Sequence, residues 1–126
     1  KELAVWVEVM NESIMKGKQL DFQLFKALLP FAEVEYYVGY EKGIPVAGSM
    51  LFKKEEIAGV YMIGTLEKFQ RKGYGSAVTR YVLKRGFELN CKKAVLQATQ
   101  AGEKIYSKLG FTIEGRIELF NLQLNQ

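Results

Sequence analysis

The chain has 126 residues, 48% of them hydrophobic and 25% charged, with a formal net charge of +4, 2 Pro and no His. This length fits one domain, and the composition excludes disordered, collagen-like and low-complexity classes. With a single cysteine, Cys91, and no histidine, the sequence leaves no internal disulfide, no multi-cysteine zinc site and no imidazole-based catalytic triad.

The first predicted element is an amphipathic helix over residues 2 to 15, where Leu3, Trp6, Val7, Met10 and Ile14 recur at helical spacing, ending near Gly17. A second helix is expected from Asp21, a candidate cap, to Leu29, with Pro30 as its stop. Val34 to Tyr40 is aromatic and β-branched, Glu41-Lys42-Gly43 reads as a turn, and Pro45 to Lys53 alternates Val46, Met50 and Phe52, which predicts a hairpin. Ile57 to Leu66 reads as a further strand. One of its faces carries Ala58, Val60, Met62 and Gly64, the other Ile57, Tyr61, Ile63 and Thr65, and two largely apolar faces place it inside the sheet. Gly73 and Gly75 then precede a helix with Val78, Tyr81, Val82 and Leu89 as its spaced apolar positions. Lys93 to Ala98 predicts a short strand, Gly102 to Lys108 a short helix, and Phe111 to Leu124 a terminal hairpin or bent strand that breaks at Gly115-Arg116. The order gives a mixed α/β fold, with a largely antiparallel sheet covered by helices on both faces.

Charge is concentrated. Between Glu67 and Lys93 eight basic residues stand against two acids, while the rest of the chain is slightly acidic. Such a segment suits an anionic partner, and it equally suits an ordinary solvated helix face. No apolar run approaches the roughly 18 residues that span a bilayer, and the opening KELAVWVEV lacks the plan of a signal peptide. A cytoplasmic protein without membrane partners is expected. Lys1 is not an initiator, so a processed or trimmed form is expected too.

The segment Gln70-Arg71-Lys72-Gly73-Tyr74-Gly75 stands where a strand hands over to a helix. Amides at a helix start lack intrahelical acceptors and sit at the positive end of the helix dipole, and glycines let the backbone approach an anion closely. An ordinary strand-to-helix turn would use the same glycines. Two familiar phosphate motifs fail on spacing. Ser76-Ala77 follows Gly75 where a P-loop needs Lys-Ser or Lys-Thr, and Val78 and Val95 occupy the positions a dinucleotide fingerprint gives to a small residue and an acid.

At this segment the chain resembles the GNAT superfamily of acyl-CoA-dependent N-acetyltransferases, whose signature is Gln/Arg-x-x-Gly-x-Gly/Ala between a strand and a helix. Gln70 to Gly75 matches it, after a strand end Ile63-Gly64-Thr65-Leu66. Downstream, Ala98 to Phe111 is similar to the family's strand-helix block, in which a tyrosine, here Tyr106, stands four residues before a Gly-Phe pair, here Gly110-Phe111. The resemblance spans about residues 34 to 124. It implies a single GNAT-like domain over residues 1–126 and acetyl-CoA as co-substrate, with no metal. Gln70, Arg71, Lys72, Gly73, Tyr74, Gly75 and Ser76 would hold the pyrophosphate, and the backbone of Ile63, Gly64 and Thr65 the pantetheine. Tyr106 would be the general acid that protonates the departing thiolate.

The implied reaction is direct attack of a primary amine, on a small molecule or a peptide, upon the thioester. Histone-type members carry a glutamate near the start of the strand before the loop. Ile57 to Tyr61 holds no acid, leaving Glu35, Glu67 and Glu118 as more distant candidates for a water-linked base. Phe22, Phe25, Phe31, Tyr36 and Tyr37 flank the region of the family's acceptor site, although each suits core packing, as does Trp6. Cys91 reads as a small residue at a helix-to-strand turn. Family members begin with a strand ahead of the first helix, and here that strand is missing, since residues 2 to 15 read as the helix. A non-catalytic acyl-CoA-binding domain remains the alternative. A nucleic-acid-binding module has only the basic segment behind it, and nucleic acid is not expected as a partner. A homodimer is left open.

Overall fold

The computed structural model describes residues 2–16, 18–118, 120, 122 and 124. Helix α1 spans Glu2–Ser13 and buries Leu3, Trp6, Val7, Val9 and Met10, so the apolar stripe faces inward as its spacing requires. Its expected end at Gly17 lies outside the described residues. Helix α2, Phe22–Ala27, is shorter than expected and starts where Asp21 caps it: the Gln23 amide donates to the Asp21 carboxylate at 2.9 Å. Strands β1 (Val34–Glu41), β2 (Ile44–Lys54) and β3 (Ile57–Thr65) form an antiparallel meander, and β4 (Lys93–Leu96) adds to β3 in parallel after helix α3 (Tyr74–Glu88). The β1–β2 turn uses positive φ at both Lys42 and Gly43, the combination whose twist suits a two-residue hairpin. Helix α4 covers Glu103–Lys108.

Two layers of core hold the sheet. On one face α1 and α2 bring Trp6, Met10 and Phe25 against Tyr36, Val38, Met50 and Met62. Trp6 is fully buried, and its indole N–H donates to the Ser49 carbonyl at 2.9 Å, so the ring satisfies its one polar atom while filling the core. On the other face α3 sets Val78 and Val82 on Val46, Ala47, Leu51, Ala58 and Val60.

Strand β3 departs from strict alternation. Gly48 pairs with Gly64 and Met50 with Tyr61, so one residue of β2 faces two of β3, and Met62 takes a φ of 54°. This is a β-bulge, and it reverses which face each later residue occupies. Ala58 and Val60 pack toward α3, and beyond the bulge Ile63 does so, while Met62 joins the core under α1. The expected grouping of Ala58, Val60, Met62 and Gly64 on one face is therefore corrected. Both faces being apolar, nothing in the pattern marks an inserted residue.

The terminal hairpin is a second correction. Among the described residues of the stretch from Phe111 to Leu124, none is in a strand. Leu119, Asn121 and Gln123 within it lie outside the described residues. The outer edge of β1 has no strand partner among the described residues. A cavity of about 420 Å³ lies between that edge and α3, lined by Tyr37, Val46, Tyr74, Val78 and Tyr81. Another of about 580 Å³, lined by Leu3, Trp6, Leu29, Tyr36 and Arg85, runs beside it.

Candidate functional site

Strands β3 and β4 pair over four residues only, from Ile57 opposite Lys93 to Val60 opposite Leu96. Beyond that point β3 continues to Thr65 along β2 while β4 ends and the chain turns off into a 3-10 turn at Gln100–Gly102. The two parallel strands thus open into a fork whose vertex is at Val60 and Tyr61. Along one limb, the backbone of residues 61–65 on the β4 side has no strand partner among the described residues. Backbone groups in that condition are open to a ligand that lies down as an extended strand. Ile63, Gly64 and Thr65 all belong to this limb.

The glycine loop leaves the same limb. Leu66 donates its amide to the Val46 carbonyl at 2.9 Å, Glu67–Phe69 makes one 3-10 turn, and the Gln70 side-chain amide donates to the Thr65 carbonyl at 3.2 Å. Gln70 therefore ties the loop to the strand end. Arg71 and Gly73 take φ of 64° and 89°, two left-handed residues that reverse the chain within three positions. Gly73 is the N-cap of α3 and offers no side-chain acceptor, so the first amides of the helix, at Tyr74, Gly75 and Ser76, remain free to meet an outside acceptor. The first helical bond runs from the Ala77 amide to the Gly73 carbonyl at 3.0 Å. Gly75 sits over the strand end, where a Cβ would lie 3.5 Å from the Thr65 hydroxyl oxygen. Arg71, Lys72 and Gly73 are exposed, and the Lys72 ammonium lies 5.8 Å from the centre of the Phe69 ring. The result is a positive, donor-rich turn at a helix N-terminus.

Tyr106 lies on α4, after the C-terminal end of β4, so it and the glycine loop follow the same end of two neighbouring parallel strands. Its ring is half-buried, packs edge-on against Phe111 with centroids 6.1 Å apart, and lies against Gly102. Burial pushes its phenol above the ordinary tyrosine value. The phenol is thus neutral near pH 7 and able to donate a proton.

Other candidates resolve differently. Glu35 is engaged: Arg85 donates from Nε and Nη2 to its two carboxylate oxygens, each at 2.9 Å, and the Tyr37 hydroxyl donates to it as well. The Arg85 hydrogen bonds outweigh partial burial and hold its carboxyl below the usual glutamate range, the opposite of what a general base needs. Glu67 and Glu118 are exposed. Phe25 and Tyr36 stack on Trp6 with centroids 5.3 and 4.7 Å away, as core residues. Tyr37 lies on the other face against Tyr81, and Phe31 is exposed. Cys91 is half-buried at the turn after α3, where its amide donates to the Gly86 carbonyl at 2.9 Å. The basic segment divides as well: Arg85 and Lys92 are paired with Glu35 and Glu56, whereas no ion pair among the described residues engages Lys68, Arg71 or Lys72. Among the described residues no cluster of carboxylates or thiols could hold a metal ion, and no helix is long and apolar enough to cross a membrane.

The fork is a non-local feature, set by where β4 ends relative to β3. Its one available signal is the brevity of the strand from Lys93, which is too short to accompany β3 to its end.

Comparison with known proteins bears on this geometry. The sequence model described as the Acetyltransferase (GNAT) family matches residues 6–111. An uncharacterized N-acetyltransferase CgeE of Bacillus subtilis (strain 168) is 30% identical over 110 residues, 79% of this chain. That match covers 42% of the relative, so the chain spans less than half of its length. A putative acetyltransferase from Agrobacterium tumefaciens str. C58 superposes with a TM-score of 0.76 at 23% identity, covering 97% of this chain and 94% of that one. The enzyme AAC(6')-Iy, in complex with a bisubstrate analog, does so with a TM-score of 0.80 at 14% identity over 98% and 92%. Glucosamine-6-phosphate N-acetyltransferase from Arabidopsis thaliana gives 0.78 at 14% over 97% and 93%. With the forked parallel pair, the uncapped helix start and a family model matching residues 6–111, the chain belongs to the GNAT family of acetyltransferases.

Proposed function

We propose that this domain transfers an acetyl group from acetyl-CoA to a primary amine by direct attack within a ternary complex. The observation that carries the reading is the fork at the end of β3, with an uncapped helix start opening beside it. The amides of Gly73 to Ser76, with Gln70, Arg71 and Lys72 around them, suit a pyrophosphate. Ile63, Gly64 and Thr65 present backbone groups to the amide-bearing pantetheine arm, and an N–H on this limb polarises the thioester carbonyl. The neutral amine attacks the carbonyl carbon, the C–S bond breaks, and the departing thiolate takes the proton of the Tyr106 phenol. The amine has lost one proton to solvent, and the phenolate regains one from it. Rate comes chiefly from holding two reactants together. The acceptor class is supported by structural neighbours that are a glucosamine-6-phosphate N-acetyltransferase and an aminoglycoside acetyltransferase, both named for small-molecule amines. The open edge of β1 and the cavities beside it support the expectation that a strand ahead of α1 pairs there.

The test is calorimetry with acetyl-CoA together with thiol release over a panel of primary amines. Tyr106→Phe is expected to lower turnover roughly 100-fold or more, with acetyl-CoA affinity nearly unchanged. An undiminished rate overturns the acid role. Acetyl-CoA binding without thiol release for any amine supports a coenzyme-binding domain instead.

A further inference from the structure

Charge is divided between the two faces of the sheet. Helix α1 exposes Glu2, Glu8 and Glu12 and has no lysine or arginine along its length. On the other face, α3 and the glycine loop expose Lys68, Arg71, Lys72, Arg80 and Lys84, and no ion pair among the described residues engages any of them. The acids of that stretch are Glu67, exposed ahead of the loop, and Glu88, which lies 3.7 Å from the Arg85 that also holds Glu35. Arg85 is therefore already engaged, and Arg80 and Lys84 are not. Ser76, Arg80 and Leu83 recur at i, i+4 and i+7 and so share one flank of α3. Leu83 packs in the core cluster with Ala94 and Leu96 of β4, which turns that flank toward the fork, whereas Tyr81 and Arg85 turn toward β1. Along the helix axis Arg80 stands roughly 10 Å, and Lys84 roughly 16 Å, beyond Gly73.

We propose that Arg80 and Lys84 are steering residues, which draw the phosphates of acetyl-CoA to the start of α3 before any contact forms. The inference rests on the acetyl-transfer reading above. Both cations stand too far along the helix to share one phosphate group with the amides of Tyr74 to Ser76, yet they extend the field of Lys68, Arg71 and Lys72 in the same direction. Screening sets their reach. The Debye length is about 10 Å at 0.1 M salt, so Arg80 acts on the loop within about one screening length and Lys84 from beyond it, and Arg80 carries the larger share. The acidic outer face of α1 repels the same anion from the far side of the sheet, so the molecule presents a dipole that orients the encounter. Charges that act at this range set the association rate and its salt dependence, whereas groups that touch the ligand set the rate at which it leaves.

The experiment is stopped-flow association and dissociation of acetyl-CoA. The double variant Arg80→Glu with Lys84→Glu should lower the association rate constant roughly 10-fold at about 50 mM salt and less than twofold at about 0.5 M, with the dissociation rate constant within about twofold of wild type. Arg80→Glu alone should account for more of the loss than Lys84→Glu alone. Both residues are exposed, so the variants keep the core intact. A control carries the same change of net charge at the opposite end of the sheet: Lys54→Glu with Lys93→Glu, exposed residues beside Ile57 at the start of β3, should leave the association rate within about twofold. An association rate that the Arg80 and Lys84 reversals leave unchanged, or that the control lowers equally, overturns the steering assignment and leaves the transferase reading intact. A faster dissociation with unchanged association also overturns it, since the cations would then be contact residues. A wild type that does not bind acetyl-CoA overturns both readings.

Discussion

The two halves of β3 make an instructive pair. From Ile57 to Val60 the strand is hydrogen-bonded on both sides, its α3-facing side chains are sealed under α3, and it ties β2 to β4. From Tyr61 to Thr65 the same strand keeps one neighbour, carries a bulge, and presents backbone that has no strand partner on the β4 side among the described residues. Composition hardly separates the halves, since both are apolar with a glycine. Pairing separates them. In the proposed reading, the sheet offers a ligand the hydrogen-bonding capacity that it leaves unspent just beyond its closed half.

If that division is right, damage to the closed half should appear as stability and damage to the forked half as ligand affinity. The largest expected effect is on the closed side. Leu51, fully buried and paired with Val60, should cost about 2–5 kcal/mol of stability as Leu51→Ala in denaturant unfolding, with little change in acetyl-CoA affinity per folded molecule. Next comes the forked side. Gly73→Asp adds a negative charge at the proposed pyrophosphate seat, in a residue type that tolerates left-handed φ, and should weaken acetyl-CoA roughly 100-fold by calorimetry with only a small change in the unfolding midpoint. Should affinity survive Gly73→Asp, the fork is not the coenzyme site. The smallest effect lies away from β3, at the Glu35–Arg85 pair. The folded Glu35 carboxyl has its pKa below the unfolded value, so the stability it contributes is present above about pH 4.5 and is lost as pH falls through the lower folded value. Glu35→Gln should therefore flatten the acid limb of the stability curve while leaving turnover intact. A collapse of turnover would reinstate Glu35 in the chemistry.

Much of this fold is legible in the residues. The stripe of Leu3, Trp6, Val7 and Met10, the cap at Asp21 and the turn at Lys42-Gly43 are local features, set by side-chain spacing and by permitted φ within a few residues. The glycine loop is legible for the same reason. What escapes the sequence is non-local. The bulge at Met62 arises from how β3 meets β2, and an apolar strand with two buried faces gives no break in pattern to announce it. The commitment of Glu35 depends on Arg85, fifty positions away, which ordinary helix periodicity leaves as one more exposed cation.

The bulge also changes which kinds of mutation this strand can absorb. Substitutions at Met62 alter one side chain, but removing that single residue would shift every position from Ile63 to Thr65 onto the opposite face, sending Ile63 away from α3 and bringing Gly64 toward it. Length, not composition, is the constrained quantity between Val60 and the glycine loop. One codon lost there should do more harm than several exchanged.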